Sequence, residues 1–402
     1  MSEIHERVYR AWLRSCLALK QRSFRRLLAQ CETAGAVFDL LRSQPSSRVF
    51  DGIDAREKAA LRNIAHHDEL KRVWWALQEK KIGVVLPTDP SYPRPLLTLH
   101  EPPLMLYMRG CKDTLQTLNC LCIVGMRKPS AYGEKTAYNM AWQWAKLGGC
   151  VVSGLAMGID AAAHRGALDG GKHATIAVVT GGLDHVSVPQ ANAALFERIM
   201  REGLLISENP PGYAITKWAI PYRNRIMAGL SQGVLLVEAK QKSGTQHTVS
   251  AALDLGREVF AVPGRIDYAE AQLPNQLIRE GAIMAHGIED IIAEYPAMRE
   301  RVLSEQAARR QIAKQPAKQP DNTRTPPSKN KKEPDAPQPN LPPLNPLQTA
   351  IVASLTKRAL GLEELVMDVQ QAVPLILREL SMLMAQGRVE MDASQAQYRL
   401  LL

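Results

Sequence analysis

The chain has 402 residues, 46% of them hydrophobic, and a formal net charge of +10. That length accommodates two or three domains with a sizeable core. No apolar run reaches the ~18 residues of a membrane span, and Met1-Ser2-Glu3-Ile4-His5-Glu6 is not the basic-then-apolar start of a signal peptide. Six cysteines (Cys16, Cys31, Cys111, Cys120, Cys122, Cys150) follow neither redox nor zinc spacing, so the expectation is a reducing, cytoplasmic protein with free thiols.

The positive charge is uneven. Residues 1–118 carry 19 basic against 13 acidic side chains, whereas residues 119–293 carry 16 against 15. A nucleic-acid site in the middle of the chain is therefore a local patch rather than a generally basic surface.

Residues 1–80 read as a small helical module, with apolar positions at Phe24, Leu27, Leu28 and Cys31 and again at Leu61, Leu70, Val73 and Trp74. Residues 81–117 read as a proline-rich connector: Asp89-Pro90-Ser91-Tyr92-Pro93, then Pro102-Pro103 and Gly110. Its prolines impose extended backbone, so the segment is expected to lie as a strap against the next domain.

From 118 to 295, apolar strand candidates ending at Val124, Val152, Val179, Ile206, Val237, Val262 and Met284 alternate with helical stretches. This is the pattern of an α/β domain with a mostly parallel, Rossmann-like sheet. Two strand ends stand out. After Val124 come Gly125, Arg127 and Lys128, ahead of a helix from about Tyr132 to Leu147. After Val152 come Ser153 and Gly154, then Ala156-Met157-Gly158-Ile159-Asp160 opening another helix. Glycine lets backbone approach a ligand closely. A helix N-terminus adds unpaired N–H groups and a partial positive charge, so both turns suit a phosphate. Asp160 is expected to cap its helix and His164 to pack beneath the loop, with an acid–base pair as the alternative.

Further on, Lys217, Arg223 and Arg225 are interleaved with Trp218 and Tyr222, a pattern able to follow phosphates and stack on bases. For Arg223 and Arg225 the competing expectation is a structural pair with Glu208 or Glu238. Lys242, Ser243, Gly244 and Thr245 form another basic glycine turn, before a helix from Thr245 to Leu255. No nucleophile elbow, phosphate-binding Walker sequence, zinc-protease motif or dinucleotide fingerprint is present. Hence no catalytic residue, metal or cofactor is assigned.

Residues 296–346 hold ten prolines between Pro316 and Pro346 and too little apolar content to fold, so they read as a linker. Residues 347–402 suggest a winged helix: three helices, then strand-like runs at Arg388–Met391 and Gln397–Leu401. The third helix, mostly apolar with Arg378 its cation, points to protein contact rather than base reading.

Taken together, the stretches closely resemble the DNA-processing protein A family (DprA, also called Smf). They are Asp89-x-x-Tyr92-Pro93, Pro102-Pro103-Leu104-x-Leu106-Tyr107-x-x-Gly110, Val124-Gly125-x-Arg127, the run from Ser153 to His164, Pro221-x-Arg223-Asn224-Arg225-Ile226, Lys242-Ser243-Gly244-Thr245 and Val262-Pro263-Gly264. The resemblance implies a SAM-like front module, an extended Rossmann domain and a winged-helix tail. It also implies a non-enzymatic, dimeric, cytoplasmic protein that binds single-stranded DNA in natural transformation and loads the RecA recombinase, without a cofactor. Arg127 and Lys217 map to the family's DNA-gripping cations. Met126, Met157 and Ile220 stand where the family more often has a small residue, a basic residue and a phenylalanine. The runner-up reading is a nucleotide-binding phosphoribohydrolase on a related fold. Gly244-Thr245 echoes its phosphate turn, but no glutamate follows between Gln246 and Ser250.

Overall fold

The computed structural model describes residues 2–116, 119–184, 186, 190–215, 219–300, 302–304, 344–356, 358–369, 371, 373–385, 388–392 and 397–400. Residues 1–317 form one compact unit and 318–402 a second. Most of the sequence-read linker, and Lys217 and Trp218 with it, lie outside the described residues.

The first unit begins with five helices: α1 (Ser2–Ser15), α2 (Gln21–Cys31), α3 (Ala34–Ser43), α4 (Ala55–Ile64) and α5 (His67–Glu79). Polar caps start several of them. Thr33 accepts from Ala36 N–H, and Asp54 and Glu57 form a reciprocal capping box. The helices close around Trp12 and Phe38, whose rings meet edge to face 4.9 Å apart, and Trp12 Nε1 donates to the Ile64 carbonyl. This core runs on without a break through Tyr107, Leu155, Leu195, Ile199 and Leu205 to the sheet.

The sheet has nine strands: β1 (Gly83–Val85), β2 (Leu106–Gly110), β3 (Cys120–Val124), β4 (Cys150–Ser153), β5 (Thr175–Val178), β6 (Leu204–Ser207), β7 (Gly233–Leu236), β8 (Glu258–Ala261) and β9 (Ile283–Met284). Their order is β1-β2-β6-β5-β4-β3-β7-β8-β9, parallel from β6 to β9, with β1 and β2 antiparallel at one edge. The connector is therefore more than a strap: it supplies two strands. Its prolines stop short of Leu106–Gly110, whose N–H groups remain free to pair with β6.

Alternation along the buried strands sends side chains to two cores. Cys122, Val124, Val152, Ile176 and Ile206 face the helices α9 (Ala219–Leu230), α10 (Gln246–Asp254) and α11 (Gln272–Arg279). Leu121, Ile123, Val151, Leu235 and Phe260 face α6 (Ala131–Lys146), α7 (Ile159–Gly170) and α12 (Ile288–Ala293). The connection from β6 to β7 includes α9, and α8 (Ala193–Glu202) precedes β6. Small residues let α6 and α7 touch. A Cβ on Gly166 would fall 2.1 Å from the Tyr138 carbonyl oxygen, and one on Gly170 2.5 Å from that of Trp142.

The chain builds outward from β3 in one direction through β4, β5 and β6, then returns to β7 on β3's other side. Such a reversal opens a crevice at the carboxyl ends of the two central strands.

In the second unit, helices Pro346–Leu355, Leu362–Val369 and Val373–Ala385 pack with a three-stranded sheet of Leu360–Gly361, Gln397–Leu400 and Val389–Asp392. Ile351, Leu365, Ile376, Leu380 and Tyr398 form its core. The order helix, strand, two helices, hairpin is that of a winged helix.

Candidate functional site

At the switch point lies a cleft of about 360 Å³ lined by Gly125 and Arg127 after β3, Asp160 on α7, Arg223 and Asn224 on α9, and Lys240, Lys242, Ser243 and Gly244 after β7. Three strand-end turns distant in sequence thus meet at one place, with α9 beside them, because β4, β3 and β7 are neighbours in the sheet. Lys128, Ser153, Gly154 and Arg225 do not line it.

The glycine turns serve this cleft differently from the expectation. Asp160 does not cap its helix; Gly158, at φ +77°, holds the cap position. The Asp160 carboxylate instead reaches back and accepts from Gly154 N–H (3.2 Å) and Ala156 N–H (3.3 Å). At the other turn, Glu238 Oε2 accepts from Ser130 N–H (2.8 Å) and Glu238 Oε1 from the Ser130 hydroxyl (2.5 Å). Ser130 Oγ itself accepts from Gly133 N–H, completing the N-cap of α6. The Gly154, Ala156 and Ser130 amides are thus already occupied by the chain's own carboxylates. The third turn closes on itself in the same way: Ser243 Oγ accepts from Thr245 N–H.

The glycines are needed for close packing. A Cβ on Gly125 would stand 2.6 Å from Ile159 Cγ1 and 2.9 Å from the Glu238 carbonyl oxygen. A Cβ on Gly154 would strike the Arg223 guanidinium. Ser153, fully buried, donates its hydroxyl proton to the Ile123 carbonyl and ties β4 to β3.

Arg223 forms the floor. Its Nη1 donates to the Val178 carbonyl (2.7 Å) and meets Met227 Sδ (2.9 Å). Burial pulls its pKa below the ordinary arginine value, Asp160 and Cys122 oppose that pull, and the neighbouring Arg127 charge adds to it. Burial likewise raises the Asp160 carboxyl, against the pull of Arg223 and the two amides.

Arg225 takes the structural option. Its Nη2 lies 2.5 Å from Glu208 Oε2, with both side chains nearly buried, and its guanidinium stacks 4.1 Å from the centre of the Tyr222 ring. Tyr222 in turn donates to Glu101 on the connector (2.8 Å). Glu208 also accepts from Gln21 on α2 (3.2 Å), so the front helices are bolted to this corner of the sheet.

Arg127, Lys128, Lys240 and Lys242 are exposed and make no ion pair among the described residues. Lys240, which opens the same basic turn as Lys242, joins the cleft as well. Glu238 was missed as the brace of α6, and its signal was an acid at a strand end facing a helix start.

His164 lies away from the loop, against β5. Its Nδ1 is 2.7 Å from Thr175 Oγ1, and that hydroxyl donates to the Val151 carbonyl, so Nδ1 carries the proton. Burial pushes its pKa down to about 3 and keeps it neutral. The pair Asp160 and His164 shares no hydrogen bond; each is engaged elsewhere.

A model of the DNA recombination-mediator protein A family matches residues 83–296, which include the whole lining of the cleft. The chain belongs to that family. It is 38% identical over 245 residues to the DNA processing protein DprA of Bacillus subtilis (strain 168), across 60% of this chain and 82% of that protein. It is 40% identical over 208 residues to DprA of Streptococcus pneumoniae (strain ATCC BAA-255 / R6), across 52% and 72%. The X-ray structure of DNA processing protein A from Streptococcus pneumoniae matches 71% of this chain and 97% of its own, at 32% identity and a TM-score of 0.60. The α/β architecture agrees with that membership. Among the described residues, no helix is long and apolar enough to cross a membrane.

Proposed function

We propose that this protein binds single-stranded DNA along the carboxyl edge of its sheet and acts as a recombination mediator in natural transformation. In that role it would shield incoming strands and load the RecA recombinase on them, working as a homodimer in the cytoplasm. The observation that carries the reading is the group Arg127, Lys240 and Lys242: exposed cations, without ion-pair partners among the described residues, lining a cleft at the switch point, with exposed Lys128 next to Arg127 in the chain. Side-chain cations are the main phosphate ligands in this reading, because Asp160 and Glu238 hold the amides of Gly154, Ala156 and Ser130. Arg223 is assigned the cleft floor and Arg225 the corner with Glu208. Lys217 and Trp218 remain proposed contacts on the strength of the resemblance and of their position just before α9. Ile220, which lines the cleft, offers apolar contact but no ring to a base. The names of the family and of its relatives, recombination mediator and DNA processing protein, support the same role.

Fluorescence anisotropy of labelled single-stranded and duplex oligonucleotides at two salt concentrations tests the proposal. A single-strand preference that weakens steeply with salt is expected. Salt-independent or absent binding would contradict it.

A further inference from the structure

At the edge of the sheet opposite the cleft, Cys111, Asp113 and His173 come together. Cys111 directly follows β2, Asp113 is the second residue of the short helical turn Lys112–Gln116, and His173 sits in the turn between α7 and β5. β2 runs antiparallel to β6, so its last residue, Gly110, pairs with the first residue of β6, Leu204. Main-chain bonds hold the turns together: Cys111 N–H donates to the Gly203 carbonyl (2.7 Å) and His173 N–H to that of Glu202 (3.0 Å). The thiol sulfur, one carboxylate oxygen and one imidazole nitrogen consequently lie within 4.8 Å of one another, with Cys111 Sγ 3.8 Å from Asp113 Oδ2.

Two features of His173 set this cluster apart from a chance meeting of polar side chains. Its backbone is held at φ +57°, in the left-handed region that non-glycine residues seldom occupy. Its Nδ1 is shielded from solvent and has no hydrogen-bond partner among the described residues. A buried ring nitrogen without a partner carries a desolvation cost that coordination would remove.

We propose that Cys111, Asp113 and His173 bind a divalent transition-metal ion of the zinc class. A thiolate, an imidazole and a carboxylate are the donor types zinc takes, and three protein ligands leave a fourth position for water. Tetrahedral zinc with ordinary bond lengths places its ligands about 3.4–3.6 Å apart. Rotation of the Cys111, Asp113 and His173 side chains would bring donors that already lie within 4.8 Å to that spacing. The Cys111 thiol gives its proton to solvent as the sulfur–metal bond forms. The ion would then staple the antiparallel edge strand β2 to the turns that lead into β5 and β6, far from the DNA cleft. Sixty residues separate Asp113 from His173, so no local spacing announces the site.

The test uses the full chain stripped of metal with a chelator and then dialysed. Zinc is titrated in competition with a chromophoric indicator, and cobalt is added separately to report sulfur ligation through its near-ultraviolet charge-transfer absorption. Cys111→Ser removes the thiolate. His173→Asn removes the imidazole yet tolerates the left-handed backbone. The expected result is one zinc per chain, a sulfur–cobalt band absent from Cys111→Ser, and zinc affinity lowered roughly tenfold or more in each variant. Zinc should also raise the melting temperature of the parent protein and not that of the variants. Failure of the parent to bind zinc, or an affinity that either substitution leaves unchanged, overturns the site.

Discussion

Gly154 provides the space that Arg223 fills: a Cβ on Gly154 would fall within 1.9 Å of Arg223 Nη1. The glycine of the second turn is thus present for a guanidinium belonging to the chain itself. It makes the floor of the cleft depend on the absence of one methyl group. Gly154→Ala is expected to push Arg223 off the Val178 carbonyl and to cost about 1–3 kcal/mol, the usual penalty for overpacking a core. Urea unfolding measures the loss, and an unchanged midpoint would show that Arg223 has somewhere else to go.

The Arg225–Glu208 pair gives a prediction of the opposite kind. Arg225 belongs to the basic run before β7, yet its charge is held by Glu208 and its plane by Tyr222. Replacing Glu208 with Gln leaves a nearly buried guanidinium uncompensated, which costs about 3–5 kcal/mol of stability. Denaturant unfolding of Glu208→Gln beside Lys242→Ala separates the structural arginine from the exposed lysine. The second variant should unfold like the parent.

Much of this architecture is legible in the residues. The strand ends at Val124 and Met284 agree with the structure, and those at Val152 and Val179 differ by one residue. Long apolar runs bounded by glycine leave little freedom. Two strands of the connector escaped notice because prolines dominate its composition, and β1 is only three residues long. Gly125, Arg127 and Lys242 converge on the cleft as their strand-end positions suggest. The fate of the turn amides was not legible, because a carboxylate such as Glu238 folds back onto Ser130 only once β7 and α6 are neighbours. The same holds for His164, whose partner Thr175 is supplied by β5.

His164 makes stability depend on pH. Its pKa is about 3 when folded, against 6.5 in an exposed histidine. The unfolded chain therefore takes up the proton first as the pH falls. The neutral imidazole's contribution is complete above 6.5 and is lost on descending from 6.5 toward 3. Between pH 6.5 and 5 the loss is about 2 kcal/mol. His164→Gln should flatten the pH dependence of unfolding free energy over that interval relative to the parent. Parallel pH profiles for the two proteins would contradict the assignment.

Salt dependence separates the cations further. Each phosphate neutralised on a single strand contributes about 0.7 to the slope of log affinity against log salt. Arg127→Ala and Lys242→Ala together should therefore reduce that slope by about 1.4. A slope unchanged by both substitutions would remove these side chains from the DNA path.

The most direct test of the central claim is single-stranded DNA affinity, by anisotropy, for the parent protein and Arg127→Ala/Lys242→Ala at one low salt concentration. The account predicts a loss of about 1–3 kcal/mol per cation with the fold intact by circular dichroism. Equal affinity in the two proteins would contradict it and move the DNA away from the switch-point cleft.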